Sequence, residues 1–499
     1  MKKWILVLML GVIGMRGIGQ VPTWEWAIGS IGTQGSSNGG MKLKVGNSGN
    51  IYVMGNFNDD SVKFDQITLF KNSSSNLFLN KYDPNGNLLF SKSLGIGSLQ
   101  GRSMSIDAYE NIYITGNFGD SVKIGSTTLL LINNVGPNIF IAKFDSSGNS
   151  VWAKSNSSVG YNQSRGINAD NLGNIYVFGD YASDSLSFGS TTLFTTFYSQ
   201  FNNDQDLFLT KFDSSGNPKW IRGGFGITNY GMDVSNDGIG NVLVTGFFSG
   251  NFIHFDTISI YDNHPGWTDV FIAKYDSSGN ILWAKSEGGN NQNGDESWGI
   301  NATSNGNIYV AGDFSPNSTF DTVLLSGHGI FLAQYDPNGV QNWIRSIVSF
   351  NTNTTLVYGL CIDNSDNAYI TGYYTGDSLQ IDSIELYNNS NLFSYIGNCP
   401  YFAKFDHHGN FNWARNGIGD GVGHGIGADN NSNVYVSGSN NDTMSFGSII
   451  LPYYYGSNTT FVAKLGIPGA GIPQLSHQPT ISLFPNPFST TATLLINGE

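Results

Sequence analysis

Apolar and polar residues alternate along short segments of this chain, and the same pair of segments recurs over most of its length. The stretch at residues 140–155, FIAKFDSSGNSVWAKS, joins two alternating runs through Asp-x-x-Gly-Asn. Alternation with a period of two predicts β-strands, while Asp and a following Gly predict a type I turn with a bulge. The stretch is therefore a predicted β-hairpin, and related copies begin at Leu77, Leu207, Val270, Ile330 and Tyr401.

A second motif, Asn-Ile-Tyr-Val-x-Gly or a close variant, alternates with the hairpin at spacings of 60 to 67 residues. Its copies begin at Asn50, Asn111, Asn174, Asn241, Asn307, Asn367 and Asn433. Each repeat predicts four strands, with a small ribbon between the second and third; in the third repeat they are 165–170, 175–179, 207–212 and 219–222. A four-stranded antiparallel sheet repeated seven times predicts an all-β, seven-bladed β-propeller.

The two ends of the repeat region predict a closed ring. The last repeat ends with its third strand, 461–464, and lacks a fourth. A matching strand lies at residues 23–28, ahead of the first repeat, where Trp26 and Ala27 correspond to Trp152 and Ala153. If this N-terminal strand completes the last sheet, the ring has no exposed edge. An open solenoid is the alternative, and it would need capping repeats at its ends.

The repeat resembles the SBBP-type seven-bladed propeller repeats of bacterial surface proteins, in both the hairpin and the Asn-Ile-Tyr-Val-x-Gly portions. The resemblance covers about residues 21–466. It implies a propeller fold and a location at the cell surface. It implies no catalytic residues, because members of that family share none.

The two termini predict export. Residues 1–19 carry Lys2 and Lys3, an apolar run and a small-x-small site, which is the pattern of a signal peptide read by the Sec pathway; a membrane anchor is the alternative. The propeller is predicted for 20–466 and a Gly/Pro linker for 467–478. Residues 479–499, with Pro485-Asn-Pro-Phe, resemble the opening of a type IX secretion sorting domain, here truncated. The resemblance implies the type IX secretion machinery as a partner.

Composition narrows the function classes. Aromatic residues make up 13% and charged residues 12% of the chain, and the formal net charge is −14. An acidic chain without a basic stripe argues against nucleic-acid binding. No later stretch is apolar enough to span a membrane, so we expect a soluble, monomeric mature protein. The only two cysteines, Cys361 and Cys399, fall on strands separated by a third and are predicted to be free thiols.

Patterns that could carry chemistry have simpler structural interpretations. The Asp-x-x-Gly-Asn turns contain one acid each, whereas calcium loops need several. Gly35 to Gly39 matches G-x-S-x-G without the strand-to-helix context of a nucleophile. His407 and His408 fall at a turn tip, which does not support a metal site. No cofactor and no catalytic residue are expected either. Four glutamates could pair with aspartates as glycosidase acids, but their spacing in the sequence places no such pair on one face of the fold. They are Glu25, Glu110, Glu287 and Glu296.

A shorter pattern, Asp-Ser/Thr-apolar, recurs between the second and third strands of the repeats. It resembles the O-glycosylation acceptor pattern of Bacteroidetes, and a turn followed by a strand start explains it as well. Both interpretations stay open here. The copies begin at Asp60, Asp120, Asp184, Asp256, Asp321, Asp377 and Asp442.

The first position of each inner strand varies from repeat to repeat. Aligned on Gly-apolar-x-apolar, these positions are Met41, Arg102, Arg165, Tyr230, Trp298, Tyr358 and His424. Side chains at the start of the inner strands should surround one mouth of the central channel. Arginines and aromatic rings there suit an anionic or sugar-like ligand. We therefore expect a binding or adhesion module; the alternatives are a propeller enzyme acting on extracellular polysaccharide, a structural surface-layer component, and side chains that merely plug the channel.

Overall fold

The computed structural model describes most of the chain between residues 21 and 497. The described ranges are 21–32, 42–132, 136–195, 205–262, 266–289, 294–349, 354–388, 397–452 and 459–466, with the backbone of 480–484 and 493–497. Within them the chain is all-β, and no helix long and apolar enough to cross a membrane occurs there. The predicted leader at 1–19, the linker at 467–478 and Met41 lie outside the described residues.

The strands follow the predicted repeat. The first eight are β1 (Thr23–Gly29), β2 (Ile31–Gly32), β3 (Lys42–Val45), β4 (Ile51–Phe57), β5 (Ser61–Phe64), β6 (Ile67–Phe70), β7 (Asn76–Tyr82) and β8 (Leu88–Ser93). The next two repeats contain β9 (Leu99–Ile106), β10 (Ile112–Phe118), β11 (Val122–Ile124), β12 (Thr127–Leu129), β13 (Asn138–Phe144), β14 (Ser150–Ser155), β15 (Tyr161–Ala169), β16 (Ile175–Ala182), β17 (Ser185–Phe188), β18 (Thr191–Phe194), β19 (Asp206–Phe212) and β20 (Pro218–Asn236).

The remaining strands continue the same order. The fourth and fifth repeats contain β21 (Val242–Phe255), β22 (Ile258–Tyr261), β23 (Thr268–Tyr275), β24 (Ile281–Glu287), β25 (Glu296–Ala302), β26 (Ile308–Phe314), β27 (Ser318–Phe320), β28 (Val323–Leu325), β29 (Gly329–Tyr335) and β30 (Gln341–Val348). The last two contain β31 (Thr355–Ile362), β32 (Ala368–Tyr374), β33 (Ser378–Ile381), β34 (Ile384–Tyr387), β35 (Cys399–Phe405), β36 (Phe411–Asn416), β37 (Gly421–Ala428), β38 (Val434–Asn440), β39 (Met444–Phe446), β40 (Ile449–Leu451) and β41 (Thr459–Gly466). The C-terminal pair is β42 (Thr480–Phe484) and β43 (Thr493–Asn497).

Each repeat pairs its strands in sequence order to form an antiparallel sheet. From the inner to the outer strand the first sheet runs β3-β4-β7-β8, and the others follow the same rule. The last sheet runs β37-β38-β41-β1, so the N-terminal strand supplies its outer edge. The predicted completion of the last sheet by residues 23–28 is therefore confirmed at the level of strand pairing.

The inner strands pack against one another in cyclic order. Their contacts run β3, β9, β15, β20, β25, β31, β37 and back to β3. Apolar residues from adjacent sheets fill the space between them, as Met54 and Leu79 do against Ile114 and Phe140, each at most 1% exposed. A ring of radially packed antiparallel sheets is a β-propeller arrangement.

The Asp-x-x-Gly-Asn turns close the hairpins through the aspartate side chain. In the sixth repeat, Asp406 Oδ1 accepts from the backbone N–H groups of His408 (2.9 Å) and Asn410 (2.8 Å). Gly409 takes a φ of 75° and donates its N–H to the Asp406 carbonyl at 2.8 Å. The strand register shifts beside the turn, between Lys404 and Phe405. The predicted turn with a bulge is confirmed here.

A tryptophan from one outer strand packs on the hairpin glycine of the next sheet. Trp343 donates its indole N–H to the carbonyl of His407 at 3.1 Å, and its ring lies where a Cβ on Gly409 would project. Trp26 of β1 does the same at the first sheet, donating to Pro84 at 3.3 Å and covering Gly86. The N-terminal strand thus makes the contact that outer strands make elsewhere in the ring.

The sheets of the third and fourth repeats are joined, although the repeat pattern predicts separate sheets. Strand β20 is continuous from the outer edge of one sheet to the inner edge of the next, and β21 runs on into the ribbon. In other repeats a positive-φ glycine interrupts this crossing, as at Gly160, Gly288 and Gly419. Gly223, Gly224 and Gly226 keep negative φ here, so the backbone stays extended.

The predicted ribbons form between the second and third strands of the sheets. The Asp-Ser/Thr-apolar pattern is not one structural class within them. Asp60 and Asp377 directly precede the first ribbon strand, whereas Asp256 and Asp321 occupy the ribbon turn with φ near 50°. At Asp256 and Asp321, the aspartate therefore reflects the tolerance of this residue for a left-handed conformation.

The two cysteines confirm the strand assignment of the sixth repeat. Cys361 lies on β31 and Cys399 starts β35, with β32 between them. Both are free thiols, as predicted. Cys399 donates to the carbonyl of Gly417 at 3.1 Å.

Candidate functional site

Every inner strand from β9 to β37 carries a β-bulge. At each bulge, one residue of the inner strand has no partner on the neighbouring strand. A bulge changes the direction of the side chain that it adds. The bulged residues are Arg102, Arg165, Met232, Trp298, Tyr358 and His424.

These bulged residues of the inner strands line one cavity. The cavity has a volume of about 280 Å³, and Lys42 of β3 completes its wall. Of the seven residues predicted for the channel mouth, six lie in the described ranges, and five of these six are brought together. The lining residues are Lys42, Arg102, Arg165, Met232, Trp298, Tyr358 and His424.

Tyr230 is the predicted residue that does not belong to this lining. It pairs with Phe247, two residues before the bulge at Met232. Alignment on the glycine caused the shift, because Gly231 precedes the bulged residue whereas Gly166 follows Arg165. The Tyr230 ring instead supports Arg165, whose guanidinium lies 5.8 Å from the ring centre.

Lys42 and Met232 were missed, although the sequence contains a signal for the second. Arg165 lies five residues before Asp170, the first residue of the Asp-x-x-Gly turn that follows the strand. Met232 lies at the same distance from Asp237. Counting back from the turn therefore finds the bulge where counting from the glycine does not.

Arg165 is held by a buried carboxylate. Its Nε lies 2.9 Å from Asp180 Oδ1, and the Asp180 side chain is fully buried on β16. Burial raises the pKa of Asp180 to about 6, against the opposing effect of Arg165. The ion pair fixes the arginine and neutralises most of its charge above pH 6.

Trp298 has an equivalent support on the fifth sheet. Its indole N–H donates to Asp313 Oδ2 at 2.6 Å. Asp313 follows a glycine on β26 that is equivalent to the glycine before Asp180 on β16. Burial holds the pKa of Asp313 well above its usual range. Asp180 and Asp313 thus hold two of the lining side chains in place, and neither acid was among the predicted site residues.

Aromatic rings form a continuous arc along one side of the mouth. Ring centres are 6.2 Å apart for Phe247 and Trp298, and 5.8 Å for Trp298 and Tyr358. Tyr358 and His424 stack at 5.5 Å with an interplanar angle of 16°. Burial, with a smaller effect of Lys42, lowers the pKa of His424 to about 4, so the imidazole is neutral at pH 7.

Arg102 differs from Arg165 because no carboxylate in the described part of the chain forms an ion pair with it. Among the described residues its guanidinium reaches only Gln100 Oε1, at 3.5 Å. Asn117, which occupies the position of Asp180 on the second sheet, donates to the Asn162 carbonyl at 2.8 Å instead. Burial and the nearby Arg165 lower the pKa of Arg102, and Asp180, which is already paired with Arg165, opposes this only in part.

The glutamates considered as glycosidase acids serve in contacts between strands and sheets. Glu25 Oε2 lies 2.7 Å from Lys464 Nζ, and Glu110 accepts from Ser48 N at 2.8 Å. Glu287 is buried beside Lys285, at 2.7 Å. The fourth, Glu296, lies on β25, and burial raises its pKa.

The other patterns considered for metal binding or catalysis form no site among the described residues, or they lie outside the described ranges. No group of three or more potential metal ligands occurs among the described residues. Arg222, Arg345 and Arg415 lie on outer strands. The G-x-S-x-G match at 35–39 is outside the described residues.

Comparisons with known proteins agree with a propeller-type repeat protein. No family model matches the chain. The uncharacterized WD repeat-containing protein L264 of Acanthamoeba polyphaga mimivirus is 22% identical over 511 residues. That alignment covers 84% of this chain and 36% of the viral protein, so the chain spans about a third of its relative's length.

Several solved structures are similar at low identity. Quinohemoprotein alcohol dehydrogenase of Comamonas testosteroni has a TM-score of 0.40 and 11% identity, covering 93% of this chain and 78% of its own. U3-55K has a TM-score of 0.45 and 7% identity, covering 89% and 99%. The structure of YCF48 bound to D1 peptide has a TM-score of 0.38 and 7% identity, covering 91% and 99%. At these TM-scores the similarities carry no functional argument.

Proposed function

We propose that this chain is an exported, seven-bladed β-propeller, closed by β1, that binds an extracellular glycan or another extracellular ligand at its channel mouth. In this proposal it acts as a binding or adhesion module at the cell surface. The seven inner strands in cyclic contact and the pairing of β1 with β41 support the closed ring. The proposed export rests on the signal-peptide pattern at 1–19 and on the resemblance of 479–499 to a sorting domain.

One observation carries the binding function. Bulges on separate sheets turn two arginines, a tryptophan, a tyrosine and a histidine toward one cavity of about 280 Å³. Propeller packing needs apolar residues between the sheets, and it does not require charged or aromatic side chains at the channel mouth. Convergent polar groups and rings in a concave site are the usual features of a ligand site.

The export proposal includes the type IX secretion machinery as a partner. Strands β42 and β43 pair antiparallel, from Thr480 with Asn497 to Phe484 with Thr493, and flank the Pro-Asn-Pro-Phe segment. Two strands around that segment match the family pattern of apolar strand, Pro-Asn-Pro-Phe and Thr-rich strand. Fractionation of cells that produce the chain with and without residues 479–499 tests this part; equal distribution between the two contradicts it.

The binding function is tested on a glycan panel. We expect the purified protein to retain a subset of glycans without cleaving them, and the double variant Arg102→Ala with Tyr358→Ala to lose this binding. Thermal unfolding of the variant checks its fold. Retained binding by the double variant moves the site elsewhere, toward the ribbons, and cleavage of a retained glycan favours the enzyme alternative.

The choice of these two residues follows from the ion pair at the third sheet. Replacing Arg165 by Ala would leave the Asp180 carboxylate buried and unpaired, at a cost of about 3 kcal/mol. Replacing Trp298 would likewise remove the donor of Asp313. A double replacement of Arg165 and Trp298 would therefore combine any loss of binding with a loss of stability. Among the described residues, no buried carboxylate forms an ion pair or a hydrogen bond with Arg102 or Tyr358.

A further inference from the structure

The channel mouth has the opposite charge to the protein as a whole. The formal net charge is −14, yet the residues that line the cavity include three basic side chains and no acidic one. A positive, low-dielectric concavity attracts anions even when the net charge is negative. The local charge therefore favours a small anion over a long polyanion, which the acidic exterior would repel.

Two of the three basic groups already have internal counter-charges. Arg165 forms the ion pair with Asp180, at 2.9 Å. Lys42 interacts electrostatically with Asp233, although burial still lowers the pKa of the lysine. Arg102 is the third: among the described residues no carboxylate forms an ion pair with it, and it shares with Arg165 its electrostatic interaction with Asp180.

The size and composition of the cavity define the rest of the ligand. Its volume of about 280 Å³ is slightly below the range that holds drug-sized molecules, which leaves room for about one sugar ring. The half-buried rings of Trp298, Tyr358 and His424 contribute aromatic surface to the wall. Aromatic rings pack against the apolar faces of pyranoses, and arginine binds carboxylates in bidentate geometry.

We propose that the channel mouth binds a terminal sugar residue that carries a carboxylate, a uronic acid or a related acidic sugar, and that Arg102 binds this carboxylate. This inference rests on the proposed binding function and identifies the ligand class of the same site. Trp298 and Tyr358 contact the sugar ring, and Arg165 remains paired with Asp180. One residue at the end of a glycan enters, because the cavity holds a single ring.

Isothermal titration calorimetry with matched glycosides tests the inference. The probes are the methyl glycosides of glucuronic, galacturonic and mannuronic acid and of the corresponding neutral sugars, with sodium acetate as a carboxylate without a ring. We expect at least one uronide to bind about tenfold or more tighter than its neutral counterpart, since a charge-assisted hydrogen bond contributes that much. Acetate should bind much more weakly than that uronide.

Two variants separate Arg102 from general electrostatics. Arg102→Gln should reduce the preference for the uronide over its neutral counterpart to within about twofold, with an unchanged melting temperature. Lys71→Gln removes one positive charge from an exposed position and should keep the preference.

The outcomes distinguish this inference from the broader binding proposal. Equal affinity for a uronide and its neutral counterpart overturns the carboxylate inference while leaving glycan binding in place. An Arg102→Gln variant that keeps the full preference overturns the role of Arg102. If acetate binds as tightly as the best uronide, or no glycoside binds, the acidic-sugar inference is wrong; failure of the whole glycan panel would contradict the binding proposal as well.

Discussion

Arg415 donates from Nε to the carbonyl oxygen of Pro22 at 3.0 Å, although 393 residues separate them along the chain. Elsewhere the same outer-strand arginine bonds the hairpin of the next sheet, as Arg222 does to Gly279 at 2.8 Å and Arg345 to Gly409 at 2.7 Å. The last sheet has no such hairpin, because β41 and β1 are distant in sequence. The segment before β1 replaces it.

Deletion of residues 20–30 should therefore destabilise the whole ring. It removes the outer strand of the last sheet, the Arg415 acceptor and the Trp26 contact on the first hairpin. We expect a lower urea midpoint, loss of a single cooperative transition, or aggregation through the exposed edge of β41. Size-exclusion chromatography and urea unfolding measure this, with a chain starting at residue 20 as control. Matching midpoints for the two chains would contradict closure through β1.

Two glycines with the same backbone conformation separate strain from packing between sheets. Gly409 and Gly238 have φ values of 75° and 74°. A Cβ on Gly409 would lie 2.6 Å from the Trp343 ring, whereas the nearest atom to a Cβ on Gly238 is at 3.9 Å. Both alanine variants lose about 1 kcal/mol to the left-handed conformation.

Gly409→Ala should lose a further amount of about 1 to 3 kcal/mol, because the tryptophan must move away from the hairpin. Urea unfolding of both variants gives the difference, which the shared φ penalty does not affect. If both alanines destabilise equally, the packing of tryptophan on the hairpin glycine contributes nothing to stability.

The repeated sheets were predictable because each element has a local signal. Period-two alternation identifies strands such as β13, and the aspartate of each turn bonds its own backbone whatever surrounds it, as Asp406 does. Completion of the last sheet by β1 was also predictable, from Trp26 and Ala27, because most outer strands carry a tryptophan at this position, which in Trp26 and Trp343 bonds the next hairpin.

The channel mouth was predictable only in part, because a bulge depends on pairing between strands. Alignment on a glycine selected five residues that line the cavity, and it chose Tyr230 in place of Met232 because Asp233 occupies the glycine position of the fourth sheet. The supporting acids Asp180 and Asp313 follow the glycine of the second strand, where an acid in a buried strand was itself a signal. Lys42 could not be assigned, since its place depends on how the first and last inner strands meet.

The two thiols should be unreactive in the folded protein. Burial raises the pKa of Cys361 to about 12 and that of Cys399 to about 11, so almost no thiolate is present at pH 8. We expect slow reaction with an aromatic disulfide reagent under native conditions and two thiols per chain after unfolding in urea. Fast native reaction of either cysteine, or a Cys361–Cys399 disulfide in non-reducing peptide maps, would contradict the strand order of the sixth sheet.

The buried carboxylate of Asp180 should make stability depend on pH. Its pKa of about 6 in the folded protein lies above the ordinary carboxyl value of 3.8, because burial disfavours the charged form. The folded state therefore binds this proton more tightly than the unfolded chain does, and the free energy of unfolding falls as pH rises between these values. Over that interval the loss is about 3 kcal/mol, and above about pH 6 this contribution is constant.

Asp180→Asn should abolish this part of the pH dependence, since the amide cannot ionise. The unfolding free energy of the variant minus that of the wild type should rise by about 3 kcal/mol from pH 4 to pH 7. Urea unfolding of both proteins at each pH measures this difference. The difference between the two proteins isolates Asp180 from other buried acids such as Asp295. Asp184→Asn, at an exposed position in the next loop, is the control and should follow the wild-type profile. A constant offset between Asp180→Asn and wild type across this range would mean that Arg165 keeps Asp180 ionised throughout.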